Sequence, residues 1–335
     1  MILLMSILQQ SKQQNNQGSE SLREKRNPTG RNLERKVMPV GIVRAERKTK
    51  NMQVIKRKAA VPIPASAFEE SRDTVVYWLS GAGFLVHSRS TNILIDPVLM
   101  KKEEKNPEEG TPAISEIGLP LKTEIPLDMS EIPNNCQVLY THADGDHMGP
   151  MTAKALAAKK ITMTGTLAVF ERLVRQGIPQ EQMEVLRVWE TKQIGDVLVE
   201  SMPADHPWQL KDLARGGRPY RMGDCCGFIL NTPDGRIYFP GDTRLMEEHL
   251  RIPPVDLLAL DVSTCEYHLN HTSAVVLANH FLQADLIPFH YGTYDAPQIA
   301  AHCGEPEEVY DKIIGGNERG FIPAPGEAFL LRRKI

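Results

Sequence analysis

A chain of 335 residues with 41% hydrophobic content has enough apolar mass for one large core or two modest ones. It holds no apolar run long enough to cross a bilayer as a helix, which sets aside a helical membrane protein. The formal net charge of −3 is unevenly spread, with 14 Lys/Arg against 4 Asp/Glu in residues 1–60 and 25 against 38 in the remainder.

The first segment has a Gln/Asn-rich run at 9–18 and no aromatic residue, so it cannot bury enough apolar surface to offset the entropy of ordering it. Residues 1–72 are therefore expected to form a basic, largely disordered extension, with a short strand at 53–56, and residues 73–335 to form the folded domain. A basic arm of this kind suits a solvated tail or, less commonly, backbone contacts to nucleic acid. The apolar start at 1–8 has no basic residue before it and no small-residue cleavage site after it, unlike a secretory signal; the Arg/Lys-rich stretch that follows leaves a mitochondrial-type presequence open. Five cysteines, an odd number without framework spacing, suit a reducing compartment, and the expectation is a cytoplasmic protein.

In chain order, residues 74–79, 84–88 and 92–95 read as strands rich in branched and aromatic residues, the third closed by Asp96 and Pro97. Residues 101–135, with many Lys, Glu and Pro, read as a long excursion with little regular structure. A strand at 138–140, a helix at 152–159, a strand at 161–164 and an amphipathic helix at 167–176 ended by Gly177 follow. Strands are then expected at 183–189, 196–202, 225–231 and 235–240, with Cys225 and Cys226 pointing to opposite faces. A helix after Leu245 and elements at 256–262, 272–283 and 285–289 complete the pattern. Two blocks of strands, each with helices, predict an α/β sandwich rather than a doubly wound sheet.

The chemistry concentrates where strands end. His142, Asp144, Asp146 and His147 are four ligand-type side chains within six residues, just past a strand, with Gly145 read as the source of backbone freedom between them. Alone, such a cluster reads equally well as a polar turn. His206, Asp242 and His290, however, each follow a further expected strand. One His on a strand is more often a satisfied core or surface group than a ligand, but four strand-end donor sets in one chain weigh against that reading. His271, Tyr291 and Trp208 lie near these segments, the first two as candidates to assist a leaving group and the third as a pocket wall.

The order of these segments resembles the metallo-β-lactamase superfamily, whose signature is a His-x-His-x-Asp-His loop followed by a His, a bridging Asp and a final His. The likeness runs over residues 75–290, and residues 77–84 (YWLSGAGF), 93–97 (ILIDP) and 288–293 (PFHYGT) are similar to the subgroup of ascorbate-6-phosphate lactonase and related hydrolases. The resemblance implies a four-layer αββα sandwich with one or two divalent metal ions at its upper edge. It places His142 and His206 at a first metal, Asp146, His147 and His290 at a second, with Asp242 bridging and Asp96 orienting a ligand from outside.

Asp144 stands where the signature has its second His. A carboxylate there is harder and negatively charged, which shifts preference from zinc toward manganese or iron without excluding zinc; one or two ions of zinc or manganese are expected, with iron also open. The implied function is hydrolysis of an ester, lactone or phosphoester small molecule by hydroxide generated at the metal, with Asp146 orienting that nucleophile. The alternatives are an iron-dependent oxidoreductase on the same fold and a nucleic-acid-processing hydrolase that uses the basic arm. Homo-oligomerisation is left open.

Overall fold

Strands that carry apolar residues on both faces must be covered on both faces, and that requirement organises the molecule. The computed structural model describes residues 57–103, 111–210 and 219–333; the expectations for 1–56 lie outside the described residues. Strands β1 (Thr74–Ser80), β2 (Gly83–Ser88), β3 (Thr91–Ile95), β4 (Gln137–Tyr140), β5 (Thr162–Gly165) and β6 (Met183–Val185) form the first sheet. Strands β7 (Thr191–Ile194), β8 (Val197–Pro203), β9 (Cys226–Thr232), β10 (Gly235–Phe239), β11 (Leu257–Asp261) and β12 (Asp285–Phe289) form the second. A last short strand, β13 (Ala328–Leu330), adds to the first sheet beside β1. Both sheets are mixed, and β3-β4-β5-β6 and β10-β11-β12 run parallel.

Alternation within strands divides the core. Phe84, Val86, Ile93, Ile95 and Leu139 face the second sheet, where they meet Phe228, Ile237 and Phe239. Their neighbours Leu85, Leu94, Val138 and Tyr140 face the other way, into a cluster that includes Leu156 of α1 (Pro150–Ala158) and Val169 and Leu173 of α2 (Leu167–Arg175). Helix α3 (Asn270–His280) covers the far side of the second sheet through Ala274, Leu277 and Ala278. Helices therefore flank two stacked sheets, the expected α/β sandwich.

The local differences have simple causes. The strand expected over 183–189 stops at Val185 and a separate β7 follows, because Trp189 takes a left-handed φ of 71° and turns the chain. The helix expected after Leu245 is one 3-10 turn, Glu247–Arg251. The excursion at 101–135 carries isolated bridges and one 3-10 turn among its described residues. The short helices α4 (Pro306–Tyr310) and α5 (Gly316–Arg319), and β13, are too brief to leave a period in the sequence. Among the described residues, no helix is long and apolar enough to cross a membrane, and all five cysteines are free thiols.

Packing begins upstream of the domain start expected at Asp73. Ile63 is buried against the helix-side cluster, with its N–H on Pro126 O at 2.8 Å, and Val61 N donates to Pro325 O at 2.8 Å. Arg57 pairs with Glu305 and Glu307 at 2.5 Å each, and its guanidinium lies 5.1 Å from the centroid of the Tyr291 ring. Ile63→Ala is expected to destabilise the fold by about 2–4 kcal/mol, because it leaves a cavity, while Arg57→Ala costs about 1 kcal/mol or less, because its pairs are half-exposed. Urea denaturation of the two variants checks the ranking, and an unchanged midpoint for Ile63→Ala contradicts the packing role.

Candidate metal centre

Strands β4, β8, β10, β11 and β12 bring their carboxyl ends to one edge of the sandwich, and β3 does so in parallel with β4. In α/β sheets that edge is where short loops can aim polar side chains into a shared crevice. His142, Asp144, Asp146 and His147 follow β4, and His206 follows β8. Asp242 follows β10, Asp261 ends β11, and His290 follows β12. Gly241 has φ 64° and sits so close to Thr141 that a Cβ there would lie 2.9 Å from the Thr141 Cβ. Only a glycine lets the chain turn there and deliver Asp242. Gly145, by contrast, has no positive φ; the left-handed strain falls on Asp96 (46°) and His290 (62°) themselves.

Hydrogen bonds settle how the imidazoles face. The Thr141 hydroxyl donates to Asp96 Oδ2 at 2.6 Å, so it accepts from His142 Nδ1–H at 2.9 Å. His147 Nδ1–H donates to Asp96 Oδ2 at 2.8 Å, His206 Nδ1–H to the Tyr267 carbonyl at 2.9 Å, and His268 Nδ1–H to Asp261 Oδ2 at 2.6 Å. In each ring the proton on Nδ1 is committed to its neighbour, which leaves Nε2 as the free donor atom.

Those four Nε2 atoms converge on Asp242. Its Oδ2 lies 3.8 Å from His142, 3.7 Å from His206 and 3.2 Å from His268, and its Oδ1 lies 3.0 Å from His147. His290 Nδ1 is 3.7 Å from Oδ1. One carboxylate thus faces two sets of nitrogens with its two oxygens. His142 Nε2, His147 Nε2, Asp242 Oδ1 and both ring nitrogens of His290 are buried without a hydrogen-bond partner. Buried polar atoms are seldom left so, and a divalent cation satisfies several of them at once. Donor atoms of His142, His206 and Asp242 lie within 4.8 Å of one another, as do those of Asp146, His147 and His290. The residues fit a pair of divalent ions.

Asp144, at the departure from the signature, is brought to the first of these sets. Its Oδ2 is 3.5 Å from His142 Nε2 and 3.4 Å from His206 Nε2, and it accepts a hydrogen bond from the Trp208 indole N–H. Burial acts to raise the Asp144 pKa, but His142 and His206 outweigh it and hold the carboxyl well below its usual range. The same contest leaves Asp242 lowered, chiefly through His147, His268 and His290. Burial alone would lower His147, yet the Asp242 and Asp96 carboxylates carry it well above its ordinary value.

The structure does not bring two candidate residues to the centre. Tyr291 is buried, stacks on Trp78 at 4.4 Å and donates its hydroxyl to Pro323 O, so its phenol is committed to the core. His271 lies in the first turn of α3, two residues earlier than the helix was expected to begin, with Nδ1 3.9 Å from Glu308. Three residues went unrecognised in the sequence. Asp261 carries the same strand-end signal as Asp242, whereas His268 sits in an irregular loop and His302 ends a short 3-10 turn, Ala300–His302, neither with a periodic cue. His302 faces Asp146 at 3.7 Å, and burial holds it down to about 4.

Comparison with known proteins agrees with this geometry. The family described as "Beta-lactamase superfamily domain" matches residues 91–291. A Methanopyrus kandleri protein named a UPF0173 metal-dependent hydrolase is 26% identical over 264 residues, covering 76% of this chain and 98% of its own. The fold is similar to that of an isothiocyanate hydrolase from Delia radicum gut bacteria (TM-score 0.56, 19% identity, 76% of this chain and 98% of that one). It is likewise similar to Igni18, a metallo hydrolase from Ignicoccus hospitalis (TM-score 0.54, 18% identity, 78% and 99%).

Two outcomes follow from the geometry. Asp96→Ala removes the acceptor for both Thr141 and His147 and is expected to weaken metal binding about 10- to 100-fold, read by competition with a chromogenic chelator. Metal and proton also compete for the same imidazoles. Because the His147 pKa is raised in the metal-free site, that competition reaches above the ordinary histidine range, and affinity falls as pH is lowered from 8 to 6, by about tenfold per unit for each proton displaced. A pH-independent affinity would contradict the ligand assignment.

Proposed function

Because the chain belongs to the β-lactamase superfamily and is a metal-dependent hydrolase, we propose that it cleaves an ester, lactone or phosphoester bond in a small molecule at the His/Asp centre. The observation that carries this reading is the set of imidazoles whose Nδ1 protons are all committed away from the centre while their Nε2 atoms converge on Asp242. His142, Asp144, His206 and Asp242 would hold one ion and Asp146, His147 and His290 a second, while Asp242, Asp261, His268 and His290 form a further donor set beside them. The carboxylate at Asp144 makes the first position harder than an all-imidazole one, which shifts preference from zinc toward manganese or iron without excluding zinc.

Divalent cations bound here supply Lewis acidity and bring the pKa of water from about 15.7 toward 7. The chain's own residues do the rest. Asp242 and Asp144 keep the centre anionic enough to retain two dications, and the Trp208 N–H holds the Asp144 carboxylate in a single orientation. Asp146 is half-buried and remains ionised, since His147 and His302 offset the effect of its burial. It orients the attacking water and accepts its proton.

The test is metal analysis combined with turnover of p-nitrophenyl acetate, a γ-lactone and bis(p-nitrophenyl) phosphate. Chelation is expected to abolish turnover and zinc or manganese to restore it. Asp242→Ala is expected to lose bound metal and to lower kcat/KM by about 10³-fold or more, as removal of a shared electrostatic centre does. A metal-replete, fully active Asp242→Ala would refute the assignment. Stoichiometric iron with oxygen consumption and no hydrolysis would replace this reading with an oxidative one.

A further inference from the structure

The centre opens into a cleft of about 1040 Å³, at the upper end of the range for pockets that hold drug-sized ligands. That space far exceeds what a two-carbon acyl group requires. Its lining is also asymmetric. The metal-ligating side chains form the floor, whereas Ile117, Leu119, Phe170, Val174, Trp208 and Ile299 line the walls. These six come from four separate segments of the chain, so their meeting at one place is a product of the fold rather than of one apolar stretch.

Helix α2 makes the point most clearly. Val169 and Leu173, four residues apart, are buried and dock the helix on the first sheet. Phe170 and Val174 form a second i,i+4 apolar pair, turned to the cleft; Phe170 is half-buried and Val174 is 38% exposed. Docking draws on Phe170 in part, since it packs against the same cluster, but not on Val174. Apolar side chains left open to water beside a polar centre raise the free energy of the free protein and lower it again when an apolar group covers them.

We propose that the substrate of this centre is amphiphilic, with the hydrolysable group joined to an aliphatic or aryl-alkyl tail of several carbons that lies on the wall formed by Phe170, Val174, Ile117, Leu119, Ile299 and Trp208. The proposal rests on the hydrolase reading and adds the substrate class to it. Arg172 and Arg175 also line the cleft beside the Phe170–Val174 pair, together with Glu171, which lies 4.0 Å from Arg175, and Asp224, so charges of both signs border the wall.

The test separates the two readings. Linear alkylphosphonates from methyl to octyl are titrated into the metal-replete full-length protein by calorimetry, with p-nitrophenyl esters of matching chain length assayed in parallel. Affinity is expected to rise about two- to fourfold per methylene and by about 100-fold or more from methyl to octyl. Val174→Asn, an uncharged change at an exposed position, should flatten that gain to about tenfold or less. Phe170→Ala should act in the same sense, and a far-ultraviolet circular dichroism spectrum confirms that each variant is folded. Methylphosphonate binding and ester turnover with no dependence on chain length would overturn the amphiphile proposal alone. No phosphonate binding and no turnover at any length would overturn the hydrolase reading and this proposal together.

Discussion

Asp242 is a carboxylate with almost no access to water, and much of this edge of the molecule is arranged by what an anion in that position demands. An isolated buried charge costs many kcal/mol, so it persists only among compensating partners. Imidazoles surround it on both oxygens, and four of them, His142, His147, His206 and His268, are anchored through Nδ1 by Thr141, Asp96, Tyr267 and Asp261. Thr141, Asp96 and Asp261 are as buried as the histidines they hold, which makes the centre a network rather than a collection of residues.

The network explains why strain is accepted where it is. Asp96 and His290 both adopt left-handed backbone angles that their side chains disfavour, and both are held by bonds to other segments. Asp96 Oδ1 accepts from Thr141 N, while the His290 N–H donates to Gly81 O. The loop carrying His290 is fixed further by Gly81 N on the Thr293 hydroxyl and by Tyr291 packed on Trp78. Tyr291 thus contributes to the centre by locking its neighbour, not by meeting substrate. Trp208 has a comparable part for Asp144, since an indole N–H suits a carboxylate acceptor and would have no acceptor in a metal-bound imidazole.

The α/β sandwich and most of the centre were legible because both rest on local signals. Runs such as 84–88 and 92–95 alternate between two buried faces, and the donors His142, His147, His206, Asp242 and His290 all stand just past a strand. Asp261 carried the same signal at the end of β11 and went unread, because it lacked a family motif to draw attention to it. His271 shows the converse: nearness to a motif in sequence does not place a side chain, which here lies in the first turn of α3 beside Glu308. Short elements such as β13, which exists only through its pairing with β1, have no period of their own to be read.

By itself the sequence determined the architecture and marked most of the polar side chains that meet at one sheet edge, since hydrophobic period and residue type at strand ends are properties of neighbouring residues. Only the tertiary structure decided which nitrogen of each imidazole faces the centre, that Asp144 joins the first set beside Trp208, and that His268 and His302 belong to the site. It also decided that a second apolar pair on α2 faces the cleft. Each of these depends on the relative placement of segments remote in sequence, fixed by the stacking of two sheets whose carboxyl ends share one edge.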